Sequence, residues 1–174
     1  MARLYIHLQP LPGSTTHGRD MEPLYSFRIN SIGEGWRQTR NGTAVTKDKL
    51  EEIYRQYIDC LNAQDWPQLD AFVHPDAQHN GRPFGVAGYR AMLENDYREI
   101  PDLRFTIELL AADPPYIAAR LAFDCTPVGI FMGLPVNGRR LSFPENVVYR
   151  FEDEKVREVW SVIDKAAIER QLGM

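Results

Sequence analysis

Cysteine is scarce in this chain. Its 174 residues include only Cys60 and Cys125, and no Cys-x-x-Cys occurs. That excludes a disulfide-built scaffold and reads as two buried thiols. No His-x-His, His-Glu-x-x-His or tight His/Cys/Asp cluster is present, so no metal is expected. There is no glycine-rich phosphate loop and no serine in a nucleophile-elbow context. Apolar runs are too short for a bilayer span, so no membrane partner is expected. Met1 to Pro10 alternates instead of presenting a basic start and an apolar core, which predicts no signal peptide and a cytoplasmic protein. An excess of positive charge is also missing. Twenty basic residues face 24 acidic ones, a net of −4 with no basic stripe, which argues against a nucleic-acid partner.

What is present fits one domain with an appended segment: 44% of residues are apolar. Residues 1–45 read as an N-terminal strand and loop arm. Leu4, Ile6 and Leu8 alternate, Pro10 and Pro12-Gly13 end that strand, Leu24 to Ile29 suggests a second, and Trp36 is a large anchor. Residues 46–174 form the main domain. Leu50, Ile53, Tyr54, Tyr57, Ile58 and Leu61 recur at helical spacing, with Asp48 and Glu51 as a capping box. A short second helix carries Trp66, Leu69 and Phe72, and His74-Pro75-Asp76 stops it. Ala77 to Gly81 suggests a short strand. A third helix runs from Gly85 to Ile100, with Tyr89, Met92, Leu93 and Ile100 inward and Asp96 and Tyr97 close to that face.

The period then changes to two. Leu103, Phe105, Ile107 and Leu109 alternate, as do Ile117, Ala119, Leu121 and Phe123. Leu141, Phe143, Val147, Tyr149 and Phe151 make another apolar row, and Val156, Glu158, Trp160, Val162 and Asp164 share one face of the last strand. Helices first and antiparallel strands afterwards predict an α+β fold, a curved sheet enclosing a pocket.

Glu145 interrupts its apolar row, which is costly unless the acid is paired, protonated or wetted by a pocket. With Glu152-Asp153-Glu154-Lys155 as the hairpin loop, Phe151 opposes Val156, Val147 opposes Trp160, and Glu145 and Asp164 become diagonal neighbours on the inner face. Two close carboxylates can divide acid and base roles. A structural network with Arg120 is the alternative. His79 and Asn80 supply a proton carrier and an oxyanion donor, or belong to a surface loop. Tyr97 points toward the same space or into the core. The apolar, glycine-punctuated stretch Val128 to Leu134 forms a lid with Phe131 or Met132 as plug, or a dimer contact.

The ordered set Leu61-Asn-Ala-Gln-Asp-Trp66, Phe72-Val-His-Pro-Asp76, Gly85 to Met92, Gly129 to Arg139, Phe151 to Trp160 and Asp164 resembles the SnoaL-like polyketide cyclases of the NTF2-like superfamily. The resemblance spans residues 46–173. It implies a cone of one bent antiparallel sheet with about three helices in its mouth, and homodimers or larger assemblies. It also implies cofactor-free ring closure by an intramolecular aldol step, with a base near the end of the last strand. The strict match to that base falls at Ser161, and Asp164 matches a nearby aspartate of wider relatives. Val147 replaces a family histidine, and Asn80 corresponds to a pocket asparagine.

The expected function is therefore acid/base chemistry on a small hydrophobic carbonyl or ester compound. Asp164, Glu145 and His79 would be catalytic, and Asn80, Tyr97, Arg120, Phe131, Met132, Phe143, Val147 and Trp160 would line the site. The competing readings are a non-catalytic ligand-binding protein and a structural dimer module.

Overall fold

The computed structural model describes residues 45–174. The expected N-terminal strands and Trp36 anchor lie outside the described residues.

Helix α1 is Lys47–Ala63. Its cap is Thr46, whose side chain accepts from the Lys49 amide at 3.2 Å, so the expected Asp48/Glu51 capping box gives way to a threonine two residues earlier. The buried face of α1 is the expected apolar row. Gln64 in a left-handed conformation ends it. A 3₁₀ turn, Trp66–Gln68, leads into the short α2, Leu69–Phe72.

The chain then extends directly into β1, Val73–His79. His74-Pro75-Asp76 is thus strand and not only a helix stop, and β1 is longer than expected. After β2, Arg82–Pro83, helix α3 covers Gly85–Glu99. Gly85 has φ +59°, and a Cβ there would stand 2.8 Å from the Pro75 carbonyl oxygen. Only glycine lets α3 start this close to β1.

Strands β3 (Thr106–Asp113), β4 (Tyr116–Cys125), β7 (Leu141–Glu152) and β8 (Lys155–Ile163) carry most of the sheet. A small hairpin, β5 (Ile130–Phe131) and β6 (Leu134–Pro135), occupies the loop between β4 and β7, and α4 is Lys165–Leu172. The sheet order is β2-β1-β8-β7-β4-β3. The expected antiparallel sheet is mixed, because β1 runs parallel to β8. Among the described residues four α-helices accompany it.

Two irregularities redirect side chains. Between β3 and β4 the register shifts after Ile107, so Leu110 and Ala112 face inward and Leu109 outward. Between β7 and β8, Phe151 pairs with Val156 as expected, but the next pair is Arg150 with Glu158. Arg157 is therefore an extra residue. Beyond it Tyr149 faces Val159, Val147 faces Ser161 and Glu145 faces Ile163. The expected inner set of β8 is overturned: Trp160 and Val162 point outward, 44% and 60% exposed. A two-residue alternation carried through a bulge assigns every later residue to the wrong face.

Candidate active site

The interior is floored by β7 and β8 and roofed by α1 and α3. From β7, Phe143, Val147 and Tyr149 are buried inward, with Glu145 between them. From α1 come Tyr54 and Tyr57, and from α3 Tyr89, all at most 2% exposed. The Tyr57 and Tyr89 hydroxyls share a hydrogen bond of 2.8 Å. Tyr54 and Tyr149 have ring centroids 5.1 Å apart. The Tyr54 hydroxyl is buried and makes no hydrogen bond of good geometry among the described residues. Burial raises its pKa, and the Tyr149 side chain beside it pulls the other way with a smaller effect, short of a full hydrogen bond. A buried donor left without a well-formed hydrogen bond costs about 1–3 kcal/mol.

Glu145 keeps a thin accessible surface although protein atoms crowd its carboxyl. Burial pushes that carboxyl above the usual carboxylate range, and the Ser161 hydroxyl beside it opposes the shift. Its charge acts on Tyr54, Tyr57, Tyr89 and Tyr149, which raises all four phenols beyond the effect of their own burial.

Ser161 also stands 3.5 Å from His79 Nε2. The His79 ring packs edge-on against Phe84 and Tyr89. Burial, assisted by the positive charge of Arg82, lowers its pKa, so the ring is neutral at pH 7. Asn80, at φ +47°, brackets the backbone of Ser161: it accepts from the Ser161 amide at 2.9 Å and donates to the Ser161 carbonyl at 3.3 Å. Its backbone amide donates to the Val159 carbonyl at 2.8 Å. The His79-Asn80 pair is therefore the end of a strand, and Asn80 fixes where Ser161 points.

The structure thus brings together Glu145, His79, Val147 and Phe143 from the expected set. Phe131, with its ring centroid 5.6 Å from Phe143, and Met132 pack partly buried against the core. Tyr97 donates to the Leu61 carbonyl at 2.7 Å and packs edge-on against Trp66, tying α3 to α1. Asp164 is not the diagonal neighbour of Glu145. The strand ends at Ile163, and Asp164 caps α4, accepting from the Ala167 amide at 2.9 Å. Arg120 is on the outer face, paired with Glu108 at 2.8 Å and bonded to Asn146 at 3.1 Å. Trp160 is on that outer face too.

Sequence reasoning missed Tyr54, Tyr57 and Tyr89 as site members. The signal was available: all three lie on the apolar faces of their helices. Among the described residues no group of His, Cys, Asp and Glu is arranged to hold a metal ion, and no helix is long and apolar enough to cross a membrane.

The SnoaL-like polyketide cyclase model matches residues 51–172. The chain belongs to this family. A crystal structure of a SnoaL-like polyketide cyclase from Agrobacterium tumefaciens C58 is 59% identical, with TM-score 0.71, covering 71% of this chain and 98% of that one. TsrD from Streptomyces laurentii is 26% identical at TM-score 0.64, covering 74% and 98%. IdmH from Streptomyces antibioticus shares the fold at 21% identity and TM-score 0.62, covering 72% and 99%. Among curated proteins, none matches this chain. Within this SnoaL-like protein, the position expected for the family base holds Ser161, which the structure places on the inner face opposite Val147. The ionisable group of the sheet floor stands on the neighbouring strand, at Glu145.

Proposed function

We propose that this SnoaL-like protein is a cofactor-independent acid/base enzyme acting on a small, largely apolar carbonyl compound, with Glu145 as the group that takes the proton. The observation that carries this reading is a desolvated Glu145 carboxyl among buried tyrosines, one of which, Tyr54, has a hydroxyl without a well-formed hydrogen bond. A carboxyl lifted out of its usual range is a stronger base toward a C–H beside a carbonyl. The Tyr54 hydroxyl is a donor for the oxygen on which charge develops. His79, held neutral behind Ser161, can pass a proton between Glu145 and the exterior through the Ser161 hydroxyl. The apolar walls, Phe143, Val147 and Phe131, favour a hydrophobic substrate. Membership in a cyclase family makes an intramolecular aldol closure the favoured form of this chemistry.

The test is deuterium uptake from D₂O at the α-carbon of an apolar ketone probe, 1-tetralone. Wild type accelerates uptake and Glu145→Gln loses about 100-fold or more of that acceleration while remaining folded. Equal rates in the two proteins contradict the role of Glu145.

The same reading includes a homodimer. Leu109, Ala118, Val148, Trp160 and Val162 line a shallow outer trough of about 630 Å³, and Leu109 is 56% exposed. The charges around this face are internally paired, Arg120 with Glu108 and Arg150 with Glu158. That balance suits a second copy of the same face better than a strongly charged partner. Light scattering should show a dimer that Val162→Lys with Trp160→Glu converts to a monomer. A wild-type monomer at tens of micromolar, or a dimer unaffected by these changes, contradicts this assignment.

A further inference from the structure

Helix α3 carries a second interior acid for which the cyclase reading has no role. Tyr89, Leu93, Asp96 and Ile100 follow one another at spacings of four, three and four, so they share one face. Tyr89, Leu93 and Ile100 are buried, and the Tyr89 hydroxyl meets Tyr57 inside. Asp96 therefore shares the face that α3 turns to the sheet, is partly buried there, and feels the charge of the Glu145 carboxyl of β7. Its carboxylate makes no hydrogen bond or ion pair with any described residue. The charges that act on it are Glu99 from its own helix and, less strongly, Glu145 from β7. Tyr89 and Tyr97 feel its charge in turn, and the neutral His79 of β1 packs against Tyr89. Arg98, its near neighbour in sequence, is turned outward to Asn95 at 3.1 Å. An acid so placed holds its proton up to about neutral pH: the carboxyl is pushed up to about 7, mostly by burial. Independently, the fully buried Tyr54 residue holds a hydroxyl in the same interior that makes no well-formed hydrogen bond and can serve as a donor.

We infer that Asp96 is the catalytic acid opposite Glu145, giving its proton to the carbonyl oxygen of the substrate while Glu145 takes a proton from carbon. The inference rests on the acid/base reading of Glu145. In an aldol closure the ionised Glu145 removes a proton from the carbon beside one carbonyl. The released electron pair forms the new carbon–carbon bond to the second carbonyl carbon. The π bond of that carbonyl breaks onto its oxygen, which takes the proton of Asp96. Glu145 is left protonated and Asp96 ionised. Return of one proton from Glu145 to Asp96 restores the starting state, and the pair together with the substrate carries a single negative charge throughout. The ligand class is a compound with two carbonyl groups, one flanked by an acidic C–H, on an apolar frame.

The experiment uses the full chain and the 1-tetralone exchange assay, in which the acid protonates the enolate oxygen. Asp96→Asn should slow exchange by about 10-fold or more and remove the alkaline limb of the pH profile, with Asp96→Glu restoring part of both. Wild-type rate and wild-type profile in Asp96→Asn overturn the inference. Titration of ¹³C-labelled carboxyl groups by NMR separates this from failure of the cyclase reading. An Asp96 signal that titrates near neutral pH, and moves to lower pH in Glu145→Gln, supports the facing pair even if wild type exchanges nothing. An Asp96 signal in the ordinary carboxylate range, unmoved by Glu145→Gln, overturns it.

Discussion

Arg150 Nε stands 2.9 Å from Glu158 Oε2 on the outer side of the β7–β8 ladder. The pair is the first rung after the extra residue Arg157, and it marks the point where β8 turns over. The turn brings Ser161 inward and sends Trp160 outward. Deleting Arg157 removes the bulge and presents Trp160 and Val162 to an interior already filled, with Val159 pushed into water. We expect a loss of several kcal/mol or failure to fold. Glu158→Ala removes only a partly exposed ion pair and should cost about 1 kcal/mol or less. Urea unfolding of both variants checks this contrast; equal, small losses contradict it.

Tyr54→Phe should stabilise the protein and weaken its function. The buried hydroxyl makes no well-formed hydrogen bond, so removing it relieves a penalty of about 1 kcal/mol or more. If that hydroxyl donates to a ligand oxygen, the same change slows exchange by about 10-fold or more. A variant that is both less stable and fully active contradicts the account on both counts.

Much of the fold is legible from residue spacing, because burial on one face is written as a period. The apolar row of α1 is the observed one, and the rows of β4 and β7 hold through ten paired residues. What spacing cannot show is a bulge, since one extra residue leaves composition unchanged while exchanging faces. Leu109, Trp160 and Val162 are misplaced by that alone. Glu145 was legible because an acid in an apolar row is anomalous. Asp164 was misleading because a cap and a strand terminus share a residue type. Asp96 was hidden because an acid beside an apolar helix face is common, and only the partner across the interior gives it meaning.

Asn80→Ala should cost about 1–2 kcal/mol, since two hydrogen bonds to the Ser161 backbone disappear and a left-handed residue is replaced by one that resists that conformation. Its exchange rate should fall as well, because Ser161 is no longer held between His79 and Glu145. Denaturation midpoints together with the 1-tetralone assay separate the two effects. Unchanged values in both contradict the bracket.

Asp96 also predicts a pH dependence of stability. Its carboxyl is raised from 3.8 to about 7 in the folded protein. A raised carboxyl favours the fold below the unfolded pKa, and that contribution is lost as pH rises from about 4 through about 7. Asp96→Asn should therefore be more stable than wild type at pH 8, on the order of 2–4 kcal/mol, and nearly equal to it at pH 4. Urea titrations at the two pH values measure it. A difference independent of pH contradicts a buried, proton-holding Asp96.

The central claim is that the working base of the sheet is the carboxylate of Glu145 inside and not that of Asp164 at the α4 cap. The direct measurement compares α-carbon deuterium exchange into 1-tetralone by Glu145→Gln and Asp164→Asn beside wild type. The account predicts a loss of about 100-fold or more in Glu145→Gln and a near-wild-type rate in Asp164→Asn, which keeps the cap of α4 and loses only about 0.5 kcal/mol of charge–dipole stabilisation. A near-wild-type rate in Glu145→Gln with exchange abolished in a folded Asp164→Asn would contradict it.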